Sequence, residues 1–540
     1  MSSSCYDILI KEALIVDGSG SPFIRGDIGI SDGKISRLGL DLGNCAETVI
    51  NANRLIVSPG FIDMHSHGDY TLLAMPRAES SVLQGVTTVV IGNCGNSLAP
   101  ITKKNFELFK NFMSPSLVQG YDYGWDWRST KEFAEKLERR GISVNVVMLT
   151  GHNTIRIAVK GLDSSPPTKN ELEEMKELLR ESIEQGSWGL STGLIYVPGS
   201  YSNKEEIMEL AKVLKEFHKR LIYSTHMRNE GKYLLESVEE AIEIGEKAGV
   251  PVHISHLKAS GKSNWGKVVA ALRLMSRARE RGVDITCDVY PYTAGSTRIT
   301  AILPDWVIEG GLDNTLKRLS DPSTREKIMR DIEEDRMRNE NFIKSCGWDN
   351  IYIARCPAYK EFEGKSLRDI LYGLGDIYEN FFNFLVKVQL NAYIVIFYGD
   401  EEDVEAVLKH PLSCVGSDSS PISPEFGGKP HPRAYGTFPR VLGRYVRERR
   451  LITIEEAIRK MTSMPATKLG ISDRGLIRQG FFADLVIFDP NKVIDNATFG
   501  DPHRYPSGIN YVIVNGQIVV DQGVHTNKFP GKVLRSQPYK

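Results

Sequence analysis

The sequence predicts an α/β fold, a (β/α)8 barrel carrying a small β-sandwich module built from both chain ends. Three observations predict it. Eight short apolar runs recur through the middle of the chain, amphipathic helical segments separate several of them, and both ends alternate short strands with turn dipeptides. Near-continuous apolar strands alternating with helices indicate a parallel sheet covered by helices.

At the amino end, YDILIKEALIVDG, RGDIGISDGKISRLG and ETVINANRLIVSPG carry Asp17-Gly18 and Asp32-Gly33 between apolar runs, which predicts hairpins. The carboxyl end repeats the style in FFADLVIFDP and YVIVNGQIVVDQG, with Asn515-Gly516 at a turn. These ends, 1–58 and 468–540, are expected to form one module, with the barrel over 59–467. The barrel runs are LIVSPGFIDMH, TTVVIGNC, VNVVMLTGH, SWGLSTGL, LIYSTHM, VPVHISH, DITCDVYPY and SCVGSD, separated by helices such as NELEEMKELLRESIEQG and LLESVEEAIEIGEKAG. A ninth run, AYIVIFYG from Ala392, leaves the count ambiguous. The charged stretch 298–356 reads as an inserted subdomain, in which REKIMRDIEEDRMRNEN from Arg325 predicts a polar, solvated helix.

Composition bounds the function. The chain of 540 residues is 41% hydrophobic and 25% charged, an ordinary globular balance, and its net charge of −1 gives no field favouring nucleic acid or an anionic membrane. The greasiest segment, from Phe381, is interrupted by Asn383, Lys387, Gln389 and Asn391 and predicts no transmembrane span. Seven scattered cysteines without a CxxC pair predict no disulfide framework and a reducing compartment. Without a signal-peptide pattern at the amino end, the expectation is a cytoplasmic protein.

Residue types that bind metal or shuttle protons fall at the ends of these runs, the end of a barrel where active sites form. His65 and His67 close the first run. At i and i+2 of a strand they point the same way and can grip one ion. Cys94 closes the second between Gly92 and Gly95, and a thiolate is a good zinc ligand. His226 and His256 close the fifth and sixth. His253, three residues before His256, faces the opposite side and reads as structural. Asp418 closes the last run, where a carboxylate beside an activated water can act as general base. Each has a plainer reading on its own: a loop polar residue, a buried thiol, a core histidine, a helix cap. His152, in LTGHNTIR, reads as a supporting or pocket residue, and His431 as a residue without a role in the site.

PGFIDMHSH, IGNCG, STGLIYVPG, THMR, ISHLK, DVYPY, GSD and HPRAYG, in this order and over nearly the whole chain, resemble the D-aminoacylase (N-acyl-D-amino-acid deacylase) family of the amidohydrolase superfamily. The resemblance implies a metal-dependent hydrolase barrel with tightly bound zinc on Cys94, His226 and His256. It implies a second, weaker metal site on His65, His67, Cys94 and Asp418, and Asp418 as catalytic acid/base. It also implies that Lys258, Tyr290 and Arg433 bind a substrate carboxylate; a cation, a phenol and a guanidinium suit that partner, and Ser296 adds a hydroxyl donor. The fourth run, SWGLSTGLIY, lacks the metal-bridging lysine of many amidohydrolases, and Cys94 supplies the missing ligand. The stretch between Asp418 and Arg433 is several residues longer than in typical members. The expected reaction is hydrolysis of an N-acyl-D-amino acid by zinc-activated water, the partner being a small molecule bearing a carboxylate. Another amide, such as a D-dipeptide or a cyclic amide, and a catalytically silent scaffold are the alternatives. The sequence leaves the oligomeric state open.

Overall fold

The computed structural model describes residues 5–373 and 375–536. Eight segments of the middle region are strands: β1 (Phe61–Asp63), β2 (Val86–Ile91), β3 (Asn145–Met148, continued by Thr150–Gly151), β4 (Gly189–Gly193), β5 (Ile222–His226), β6 (Val252–Ile254), β7 (Ile285–Val289) and β8 (Ser413–Val415). Each pairs in parallel with the next. The last is tied back to the first, because Asp418 N–H donates to His65 O at 2.8 Å and His67 N–H to Ser419 O at 2.9 Å. The strands are buried along their length, as runs rich in Val, Ile and Leu require when helices cover a parallel sheet.

The covering helices obey their sequences. Lys169–Glu184 starts at a capping box between Thr168 and Glu171, which satisfies two orphan amides at once. Leu234–Ala248 turns Leu234, Val238, Ala241, Ile242 and Gly245 inward at helical spacing and stops at Gly249, whose φ of 68° few other residues adopt cheaply.

The two chain ends meet in one sheet. Leu485–Phe488 pairs antiparallel with Ile56–Pro59, and the sheet runs on through Ile509–Val514 on one side and Tyr6–Ile15 on the other. Asp32-Gly33 and Asn515-Gly516 turn hairpins in it, each with positive φ at both positions. Tyr6 and Ala46 lie opposite each other, which brings the preceding residues, Cys5 and Cys45, into a disulfide. That bond departs from the expectation drawn from the scattered cysteines; Cys94, Cys287, Cys346, Cys356 and Cys414 are free.

Between β7 and β8 the chain builds a second core from residues between Ile299 and Tyr398, beyond the 298–356 stretch expected. Its sheet is antiparallel: Ala294–Arg298 and Ile351–Arg355 flank Tyr393–Phe397. The ninth apolar run is thus the centre of this sheet and not a member of the parallel series. The polar helix spans only Pro322–Glu333, and Asn339, Glu340 and Asn341 beyond it are buried, so the 325–341 stretch is not one solvated helix. Asp335 takes a φ of 56°, and Asn341 caps the next helix, Phe342–Cys346, which ends the first one early. Among the described residues no helix is long and apolar enough to cross a membrane.

Candidate metal centre and carboxylate pocket

The residues that close β1, β2, β5, β6 and β8 converge. Cys94 Sγ lies 3.3 Å from His65 Nε2, 3.6 Å from His226 Nδ1 and 3.7 Å from His256 Nε2. Asp418 Oδ1 is 3.2 Å from His67 Nε2 and 3.6 Å from His65 Nε2. Two overlapping sets result, Cys94 with His226 and His256, and Cys94 with His65, His67 and Asp418, each with donor atoms within 4.8 Å of one another.

Local backbone aims these groups. Cys94, His256 and Asp418 adopt φ of 52°, 35° and 48°. Such conformations cost on the order of 1–3 kcal/mol each and persist where the surroundings enforce them. At Gly92, a Cβ would sit 2.1 Å from Leu149 O, so the turn that presents Cys94 needs a glycine there.

Each histidine around Cys94 turns its second nitrogen to a carboxylate. His65 Nδ1 lies 3.4 Å from Asp288 Oδ2, His256 Nδ1 is 2.9 Å from Glu230 Oε1, and His226 Nε2 is 3.5 Å from Glu230 Oε2. Carboxylates placed at the second nitrogens orient imidazoles that meet a metal through the first, and Lys258 Nζ also lies 2.7 Å from His256 Nδ1. Asp288 also accepts from His253 Nε2 at 2.8 Å and from the His256 backbone N–H at 2.9 Å. His253, expected to face away from the site, thus meets the same carboxylate oxygen as His65.

The electrostatics suit a divalent cation. Burial alone would raise the Cys94 thiol, but His65 and the bonds from His226 and His256 outweigh it and hold the thiol well below its ordinary range. Burial would likewise raise Asp418, yet Arg433, His256 and His67 hold it low. Glu230 is held down to about 2, burial being outweighed by Lys258, His226 and His256. A tetrahedral zinc, with bonds of about 2.3 Å to sulfur and 2.0–2.1 Å to nitrogen, separates its S and N ligands by about 3.6 Å. The Cys94–His226 and Cys94–His256 spacings match that value. A thiolate with imidazoles selects zinc over harder cations such as magnesium.

The remaining sequence candidates lie beside these donors. Arg433 Nη1 is 2.8 Å from Asp418 Oδ2, and its guanidinium stacks 4.6 Å from the centre of the Tyr290 ring. Lys258 Nζ lies 5.8 Å from the same ring and bonds both Glu230 oxygens at 2.7 Å. Tyr290 OH bonds Tyr398 OH. Ser296 accepts Arg433 Nη2 on its carbonyl at 3.3 Å and lines two adjoining cavities of about 110 Å³ each. The longer stretch after Asp418 therefore still returns Arg433 to Asp418. His152 lies apart, buried in an ion cluster with Glu206 and Arg156.

Sequence reasoning missed Asp288, Glu230 and His431. Asp288 sits near the end of β7, and Glu230 follows β5 in THMRNEG; the rule that singled out Asp418, a carboxylate closing a strand, also fits Asp288. His431 accepts the Arg433 N–H on Nδ1 at 3.0 Å and bonds Ala294 O through Nε2 at 2.9 Å, and so anchors the start of the helix Arg433–Arg440.

The amidohydrolase family model matches residues 48–303 and 385–520. A D-aminoacylase of Alcaligenes xylosoxydans xylosoxydans is 34% identical over 535 residues, 98% of each chain. An N-acyl-D-glutamate deacylase of the same organism is 32% identical over 98% of this chain and 96% of its own. The crystal structure of an N-acyl-D-glutamate deacylase from Bordetella bronchiseptica, with zinc and a phosphonate mimic of the tetrahedral intermediate, superposes with a TM-score of 0.80 at 33% identity, covering 99% of this chain and 100% of that one.

Proposed function

Since the chain belongs to the amidohydrolase family, and within it to the D-aminoacylase (N-acyl-D-amino-acid deacylase) family, we propose that it hydrolyses N-acyl-D-amino acids to a carboxylate and a D-amino acid. The observation that carries this reading is the adjacency of a Cys–His donor set to a cationic pocket. Cys94 with three imidazoles and Asp418 stands directly beside Arg433, Tyr290 and Lys258.

Cys94, His226 and His256 would hold zinc tightly, and His65, His67, Cys94 and Asp418 a second ion more weakly. Zinc bound there supplies Lewis-acid polarisation of the amide carbonyl and acidification of water. Arg433, Lys258, Tyr290 and the Ser296 hydroxyl hold the α-carboxylate and fix which face of the amide is presented, and stereochemical preference follows from that. Asp418 takes a proton from the attacking water and returns it to the departing amide nitrogen. Its ion pair with Arg433 keeps it ionised until then. Glu230 and Asp288 hold the imidazoles in their tautomers. We read the closed series of parallel strands as a (β/α)8 barrel over 59–467, with 1–58 and 468–540 as the β-sandwich module.

Asp418→Asn tests the reading. The variant is expected to retain tightly bound zinc and to lose turnover of N-acetyl-D-amino acids by at least about a hundredfold. Near-wild-type turnover in a zinc-loaded variant contradicts the role given to Asp418.

A further inference from the structure

A further cavity, of about 300 Å³, lies where the insertion meets the barrel. Its walls come from the loop after β5 (229–233), the loop after β6 (260–264) and the insertion between 335 and 345. Backbone groups tie the three together. Ser260 N–H donates to Glu230 O at 2.7 Å, and Glu230 N–H donates to Glu340 Oε1 at 2.5 Å.

Three side-chain oxygens on this cavity have no partner among the described residues: Ser260 Oγ, Asn339 Oδ1 and Glu340 Oε2. Their residues are 2%, 6% and 5% exposed. The Asn339 amide is fixed in this sense, because Nδ2 donates to Leu303 O at 3.0 Å and to Ala301 O at 3.3 Å. Turned over, it would set its oxygen against two carbonyls. Buried polar groups are ordinarily bonded, and each exception calls for an explanation, an ion among them.

Glu340 also lacks a counter-ion. The cations nearest the cavity are engaged elsewhere: Lys258 Nζ bonds both Glu230 oxygens at 2.7 Å, Lys232 Nζ lies 3.3 Å from Asp335, and Lys344 Nζ donates to Glu333 O at 2.7 Å. With Glu340 ionised, Glu230, Glu340 and Lys258 together leave one negative charge buried beside two neutral acceptors, a costly arrangement. Water can donate to the neutral oxygens but brings no charge. Carboxylate, amide and hydroxyl oxygens suit a hard cation. Calcium sites draw on several carboxylates, whereas a single one matches a single positive charge.

We propose that Glu340, Asn339 and Ser260 bind an alkali cation, sodium or potassium, which fastens the insertion to the loops after β5 and β6. The site is separate from the Cys–His donor set and holds whatever substrate the protein cleaves. Glu230, which Glu340 bonds through its backbone, also faces His226, His256 and Lys258. The ion therefore steadies the loop that supports the metal centre.

The test uses the full-length, zinc-loaded protein at about pH 9, where Glu340 is ionised, since burial and the neighbouring Glu230 push it up to about 8. Thermal unfolding is followed in potassium, sodium and tetramethylammonium chloride at constant ionic strength. An ion that binds only the folded protein raises the midpoint in a saturable way. A rise of a few degrees is expected with potassium or sodium and none with tetramethylammonium, whose methyl groups bar oxygen ligands. Glu340→Gln should abolish the rise, and Ser260→Ala should move it to higher salt. Equal midpoints in the three salts overturn the proposal on the wild type alone, without any variant having to fold. So does a rise that Glu340→Gln keeps, or one that calcium chloride produces and the alkali salts do not.

Discussion

Three imidazoles surround Cys94 with one nitrogen each, and the other nitrogen of each faces Asp288 or Glu230. Under the proposed reading, the carboxylates set ring orientation and raise the basicity of the nitrogens that would meet the metal. Asp288→Asn should weaken zinc binding about 10–100-fold, because the amide cannot accept from His65, His253 and the His256 N–H with the same charge. Chelator competition measures this, and unchanged affinity would show that Asp288 positions nothing. At this scale the sequence discloses the donors, because His65, His67, Cys94, His226, His256 and Asp418 all close apolar runs. It does not disclose their supports. Which carboxylate meets the second nitrogen of a histidine depends on contacts between β1 and β7, or between the loops after β5 and β6, and no local pattern encodes those pairings.

The parallel strands and their helices were legible because their signals are local: apolar runs, capping boxes, a glycine after the last turn. The run at Ala392 shows where this stops. An apolar stretch of that length serves equally in a parallel series or at the centre of an antiparallel sheet, and periodicity cannot separate the two. The insertion docks through Glu340, whose carboxylate accepts the Glu230 N–H at 2.5 Å while its other oxygen is buried without a partner among the described residues. Burial and the neighbouring Glu230 push Glu340 up from an ordinary 4.5 to about 8. An acid whose pKa is raised by folding binds more protons folded than unfolded between those values. Stability from this group is thus full below about 4.5 and declines as pH rises toward 8. Glu340→Gln, neutral at every pH, should flatten that decline. Thermal unfolding midpoints of both proteins across this range measure it, and parallel pH profiles would contradict the assignment.

Over the whole molecule, the ends of the chain are held together by one sheet, and the hinge of that sheet is the pairing of Leu485–Phe488 with Ile56–Pro59. Leu485 is fully buried in the core that both ends build, so Leu485→Ala should cost about 2–5 kcal/mol in chemical denaturation. The similar turn chemistry of the two ends suggested this union, but the register that joins them is a long-range fact. On the proposed reading, metal would link the site to global stability. A ligand that binds only the folded state stabilises it by about 3 kcal/mol at a hundred times Kd. Chelation should therefore lower the unfolding midpoint of the wild type and leave that of Cys94→Ala unmoved. The central claim joins the metal set to the cationic pocket in a single reaction. Its most direct test is hydrolysis of paired N-acyl-D- and N-acyl-L-amino acids, with zinc and after chelation, read by chiral analysis of the amino acid released. The account predicts release of the D-amino acid alone, lost on chelation and restored by zinc. Equal release from both enantiomers, or release that survives metal removal, would contradict it.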